Sequence, residues 1–239
     1  MPILFPQYLF RIQLEDGGMI LHDHPKTKAA AVYRKLRRAI VTLEIDSGEP
    51  LDESSLITQL GVSRTPLREA IKQLALEQLI IAHPHRAPYV APFSLTDLQP
   101  LYETRLLLEL PVARLAAERI TAAELSTLTD ILDSMRSEID AGHVYEVIEL
   151  DYRFHSMLAN ATHNRYLADA INQLNRNSLR LWYLAHSRIG LEGVASAHDD
   201  ILRVLTTRDP AAAEEVMKQH VALSRDRVIR ASVQTTDPT

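Results

Sequence analysis

The chain has 239 residues, 46% of them hydrophobic and 24% charged, with a formal net charge of −5; with this composition disorder is not the default, and the chain suits one large or two modest domains. It contains no cysteine, which removes disulfides, thiolate nucleophiles and Cys-ligated zinc together, so any metal must rest on His and carboxylates. No apolar run reaches the roughly eighteen residues of a membrane span, and the opening MPILFPQYLFRIQLEDGG lacks the basic start and small-residue cleavage site of a secretory signal, so a soluble cytoplasmic protein is expected.

The first twenty-five residues form an N-terminal arm with no assignable structure, and Met19 is a second possible start. A first helix is predicted over 28–44, where Ala29, Val32, Leu36, Ile40 and Leu43 recur at helical spacing and Arg34, Lys35, Arg37 and Arg38 fill the rest of that turn. DSGEPLDES breaks the pattern, and a short second helix runs to about Leu60, with Gly61 suited to a left-handed C-terminal cap. Ser63 can cap a third helix, Pro66 is tolerated in its first turn, and Leu67, Ala70, Ile71 and Leu74 form its buried stripe. Two strand-like runs, Leu79 to Ala82 and Pro88 to Ala91, then surround a His/Pro/Arg loop. Helix, helix, turn, helix, hairpin is the order of a winged helix-turn-helix, assigned to 26–92.

From 93 to 233 strands disappear. Helical periodicity runs through about 95–118, 121–141, 143–160, 164–186, 191–207 and 210–232, a bundle of about six helices with Pro111 inside the first, and residues 234–239 are left as a tail. The fold class is therefore mainly α. Charge divides the same way: residues 26–92 carry ten Lys/Arg against seven Asp/Glu, and residues 93–239 carry fifteen against twenty-one. A basic front and an acidic rear suggest two separate jobs.

On the third helix Arg64, Arg68 and Lys72 stand at i, i+4 and i+8, opposite the apolar stripe and with Thr65 beside the first. A helix N-terminus adds free N–H groups and partial positive charge that suit phosphate, and an Arg can take guanine O6 and N7 with two hydrogen bonds. A solvated basic face would have the same row, but the short helix, the Gly turn and the hairpin around it favour DNA binding.

The segment LDESSLITQLGVSRTPLREAIKQLALEQLI closely resembles the winged-helix domain of the GntR family of bacterial transcription regulators, with GVSRTPLREA its most specific part. The resemblance implies that Arg64, Thr65 and Arg68 are the main DNA contacts, with Ser63 near a phosphate, and leaves His85 and Arg86 as candidates in the wing. Gln78 and Ala87 stand where the family commonly has Gly, which bears on the shape of the wing.

In the acidic half, Asp151 and His155 are i and i+4 on one helix face. His198 and His220 each lie eleven residues from Asp209, so an antiparallel hairpin would set both at one level, about 16 Å from its turn at ~1.5 Å per residue. One carboxylate and three imidazoles, without sulfur, suit Zn or Ni or a similar first-row ion with a position left for a ligand. His22, His24, His143, His163 and His186 read as surface or capping groups. Residues 95–232 resemble the all-helical FCD effector domain of the FadR subfamily of GntR regulators, through YETRLLLELPVARLAA, DYRFHSMLANATHNRYL, AHDDIL and KQHV. That resemblance implies a divalent metal bound by Asp151, His155, His198 and His220, and an effector carboxylate held by Arg105, for which a salt bridge to Glu109 is the structural alternative. Arg180, Trp182 and Tyr183 are left with the core.

The leading reading is a transcription regulator, most simply a repressor, that meets a palindromic operator as a homodimer and whose DNA affinity responds to a small organic acid beside the metal. A metal-responsive regulator and a metal-dependent hydrolase are the alternatives; no H-E-x-x-H helix or nucleophile elbow supports the last, so no enzyme activity is expected.

Overall fold

A computed structural model describes residues 27–233; the arm over 1–25, with Met19, His22 and His24, and the tail over 234–239 lie outside the described residues. The chain divides into two units between Pro92 and Phe93.

The first unit begins with α1, Lys28–Val41, capped by the Thr27 hydroxyl, which accepts from the Ala30 N–H at 3.1 Å. The helix stops three residues before the periodicity does. Leu43 has φ +60°, and a residue in the left-handed region cannot continue a right-handed helix. The second helix, α2, Glu53–Leu60, is capped by Asp52 and ends at Gly61 with φ +62°, the left-handed position that glycine reaches without a Cβ penalty. The third, α3, Arg64–Leu76, has Ser63 at its cap position, but the serine hydroxyl makes no capping hydrogen bond, contrary to the sequence expectation.

Strands β1, Ile80–Ile81, and β2, Tyr89–Val90, pair antiparallel with Ile80 opposite Val90. The segment before α2 joins them unforeseen: Pro50 bridges Tyr89, and the Val90 N–H donates to the Glu49 carbonyl at 2.9 Å. Leu36 and Ile40 of α1, Leu67 and Leu74 of α3, Leu79 and Val90 are each fully buried in one apolar cluster. Truncating one of these leucines to Ala costs about 2–5 kcal/mol. Arg37, read as part of a basic face, is 6% exposed and faces Glu77 at 3.5 Å.

The second unit is a bundle of α4 (Leu98–Arg119), α5 (Ala122–Asp140), α6 (Val144–Asn160), α7 (Arg165–Ile189), α8 (Val194–Thr207) and α9 (Pro210–Val233), preceded by a short 3-10 turn. α4 continues through Pro111 to Arg119. Thr121 and Glu124 close a reciprocal capping box at the start of α5. α4 packs most extensively on α9, α6 on α7 and α5, and α8 on α9 and α5. No helix among the described residues is long and apolar enough to cross a membrane.

Candidate metal centre and nucleic-acid interface

In the first unit α3 presents Arg64, Thr65, Arg68 and Lys72 to solvent, while Leu67, Ala70, Ile71 and Leu74 turn inward. Glu53 in the first turn of α2 reaches across to them: the Arg68 Nε–H donates to its two carboxylate oxygens at 3.0 and 3.2 Å, and Arg64 Nε lies 3.9 Å away. The carboxylate thus orients one edge of Arg68 and leaves its terminal NH2 groups for an outside acceptor. The uncapped Ser63 hydroxyl stands at the same helix end. In the wing His85 and Arg86 are exposed in the turn between the strands, and His85 takes φ +61°. Gln78 has φ +60°, so a side chain occupies a backbone position that glycine would reach without strain; Ala87 shows no such conformation.

In the second unit three helices converge on one cluster. Asp151 and His155 come from α6, His198 from α8 and His220 from α9, and nitrogens of the three histidines lie within 4.8 Å of one another. His155 Nε2 and His220 Nε2 are 3.1 Å apart, and His198 Nε2 is 2.9 Å from Asp151 Oδ1. Two nitrogens each ~2.1 Å from a common ion, at angles near 90–110°, would be about 3.0–3.4 Å apart. His198 Nδ1 is 2.8 Å from the Val194 carbonyl; a proton donated there leaves Nε2 as the ring's lone-pair donor. Nδ1 of His220 is buried with no hydrogen-bond partner among the described residues. Such an orphaned atom carries a desolvation cost, which an ion would offset.

Electrostatics within the cluster point the same way. Burial would raise the pKa of Asp151, but its contact with His198 holds it well below the usual carboxylate range. Burial lowers His155, and burial together with the neighbouring His198 lowers His220 further, so both rings stay neutral with lone pairs available. Burial acts against a charge on His198 as well, yet Asp151 and the Val194 carbonyl shift it upward. The place between Asp151 and His198 therefore favours a cation, either a proton or a metal ion.

Arg105 on α4 is 1% exposed. Its Nε–H donates to Glu109 Oε1 at 2.5 Å, Nη2 to Glu109 Oε2 at 3.4 Å and Nη1 to Ser224 Oγ at 2.9 Å. The guanidinium is sandwiched by the Tyr102 and Trp182 rings, each 4.9 Å away. Both readings of Arg105 are thus present in the geometry: the Glu109 salt bridge exists, and two of the five N–H donors remain beside a cavity of about 290 Å³ that Arg105 lines together with Asp151, His198 and His220.

Trp182 and His186 of α7 and Ser224, Arg227 and Arg230 of α9 also line this cavity; sequence reasoning had placed Trp182 in the core and His186 at the surface, and had not singled out the α9 residues. A usable signal was the spacing His220, Ser224, Arg227, one helix face carried past the metal cluster. Arg180 instead stacks on Phe93 at 4.8 Å, and burial lowers its pKa to about 10. His143 and His163 are exposed partners of Glu138 and Glu124, at 2.7 and 3.0 Å.

Residues 28–90 match the family described as bacterial regulatory proteins, gntR family, and residues 100–223 match the FCD domain. The HTH-type transcriptional repressor RspR of Escherichia coli is 34% identical over 191 residues, covering 80% of this chain and 84% of that protein. The HTH-type transcriptional regulator LutR of Bacillus subtilis is 28% identical, covering 77% and 93%. Among solved structures, E. coli McbR/YncC has a TM-score of 0.66 at 22% identity, covering 83% of this chain and 97% of that one; this likeness concerns the fold alone. The function follows from the matched families and the curated relatives: a regulator of transcription rather than the hydrolase weighed above. The chain belongs to the GntR family of bacterial regulatory proteins and is a DNA-binding transcription regulator, with an FCD domain C-terminal to its winged helix.

Proposed function

We propose that the protein is a cytoplasmic repressor that binds palindromic operator DNA as a homodimer and releases or tightens that grip when a small organic acid binds beside a divalent ion, Zn or Ni, in the C-terminal unit. The observation that carries this reading is the sulfur-free donor set of Asp151, His155, His198 and His220, three of which, Asp151, His198 and His220, line a cavity together with the buried Arg105. A bound ion would supply a Lewis-acid anchor for one carboxylate oxygen. Arg105, fixed by Glu109 and Ser224, offers its remaining N–H groups to a second oxygen. Phe154 and Trp182 exclude water from the histidine rings, with Phe154 edge-on to His198 at 4.9 Å.

In the first unit Arg64 and Arg68 read base edges and Thr65, Lys72 and Ser63 hold phosphates, while His85 and Arg86 reach from the wing. An acid changes operator affinity only by binding one arrangement of the dimer better than another, and such coupling is about 1–3 kcal/mol.

The test is fluorescence anisotropy on a duplex that the protein itself selects from random sequence, with the protein metal-free, Zn-loaded, and Zn-loaded with each of a set of small carboxylates. At least one carboxylate should shift affinity about 5- to 150-fold in the Zn-loaded protein alone. The shift should shrink in Arg105→Gln/Glu109→Gln, which removes both buried charges together. A shift produced in full by Zn alone makes the ion the signal, and an absence of any carboxylate effect refutes the acid effector.

A further inference from the structure

Charges around the cavity do not balance. Arg105 is matched by Glu109 at 2.5 Å, Asp200 by Arg203 at 2.9 Å, and Asp151 by His198 at 2.9 Å. Arg227 and Arg230, which line the same cavity, have no carboxylate within ion-pair distance among the described residues. Arg227 is partly buried, and burial together with the neighbouring Arg230 lowers its pKa against the opposing pull of the more distant Glu192 carboxylate. Among the described residues its Nη2 donates to the Glu192 carbonyl, and Arg230 Nε–H to the Asp226 carbonyl at 3.4 Å.

The backbone around Arg227 is shaped to seat it. Gly193, with φ +74°, precedes α8, and a Cβ there would stand 3.2 Å from Arg227 Nη2. Glycine is thus favoured by its conformation, and a Cβ would press only on the movable tip of the Arg227 side chain. α8 starts without any side-chain cap, and Gly193, Val194 and Ser196 all line the cavity. Gly193 immediately precedes α8 and lies five residues before His198, a rise of about 7–8 Å between the two backbone positions at ~1.5 Å per residue.

We propose that the effector carries two anionic groups, one for the metal and Arg105 and a second, carboxylate or phosphate, clamped by Arg227 and Arg230 at the start of α8. The proposal rests on the acid-effector reading above and narrows its ligand class. Two anion-binding places on one cavity wall suit a diacid of about four to six carbons or a short phosphorylated hydroxy acid better than a monocarboxylate. The second group neutralises the arginine pair, and that neutralisation is the source of the selectivity.

The test is titration calorimetry on the Zn-loaded full-length protein with matched probes: succinate against butyrate, adipate against hexanoate, and 3-phosphoglycerate against glycerate. At least one doubly anionic probe should bind about tenfold or more tightly than its partner. In Arg227→Gln/Arg230→Gln the ratio should fall to about one, with the monocarboxylate affinity and the ligand-free melting temperature kept. The diacid and phosphate arms show which second group is taken. If monocarboxylates bind and a second anion adds nothing, or if the double variant keeps the ratio, this proposal falls and the acid-effector reading stands. If no probe binds above the metal-free background, both fall.

Discussion

The two units place their arginines in opposite environments. Side chains of Arg64 and Arg68 on α3 are 63% and 61% exposed, each near Glu53, whereas Arg105 on α4 is 1% exposed against Glu109. The exposed pair adds little to stability, because water screens it and freezing two long side chains costs entropy. It is correspondingly cheap to redirect toward DNA. The buried pair has lost its hydration, so either partner alone is a large liability, and Arg105 is held with its charge strongly favoured by Glu109 against the effect of burial. One unit keeps its cations ready to exchange partners; the other fixes one in place.

That contrast can be tested in order of size. Glu109→Ala should lower unfolding stability by about 3–5 kcal/mol, whereas Glu53→Ala should change it by about 0–1 kcal/mol. Urea denaturation of the two variants checks this, and a loss under about 1 kcal/mol at Glu109 would erase the distinction. Next, His198→Ala or His220→Ala should weaken divalent-metal binding by more than about 100-fold, while His163→Ala on the surface leaves it intact. Elemental analysis after dialysis is the measurement, and equal metal in all three would remove the assignment of this cluster. On α3, Arg68→Ala should cost about 1–3 kcal/mol of operator discrimination and shift stability by no more than about 0.5 kcal/mol. Unchanged affinity in a gel-shift titration at matched salt would take this helix out of the groove.

The smallest effect concerns the capping box. Partial burial would raise the Glu124 pKa, but the Thr121 N–H and hydroxyl and His163 bring it below its ordinary value. A carboxylate with a depressed folded-state pKa stabilises above its unfolded pKa, and that contribution is lost as pH falls through the folded value. Glu124→Gln should therefore flatten the acid side of the melting temperature against pH, by a few tenths of a kcal/mol. A profile that superimposes on the parent sets the box aside as a pH-dependent contribution.

Helix periodicity made most of the architecture legible before any coordinates. Val32, Leu36 and Ile40, or Leu67, Ile71 and Leu74, repeat with the spacing of one buried face, and Gly61 marks the turn between α2 and α3. Periodicity is local, however, and what it missed depended on distant partners. Arg37 belongs by spacing to a basic face, yet Glu77, forty residues on, draws it inside. The Pro50 bridge is too short to carry an alternation of its own. Leu43 looks like one more helical leucine, and nothing in its chemistry announces a positive φ. Within the histidine cluster Asp151 and His155 were legible as an i, i+4 pair, and His198 and His220 as equidistant from a turn. Trp182 and Arg227 were not, because their meeting depends on how α7 and α9 cross the others.

One consequence of that crossing is practical. The chain has a single tryptophan, and Trp182 lies 4.9 Å from the Arg105 guanidinium and 6.3 Å from the His155 ring. Its indole emission therefore reports on one place in the molecule, with no competing fluorophore of its kind. A ring nitrogen that takes up a proton or an ion changes how strongly it quenches that emission, and a ligand that displaces water beside the indole changes its colour. The molecule thus carries its own optical gauge of whatever enters the cavity, readable without a label and without DNA.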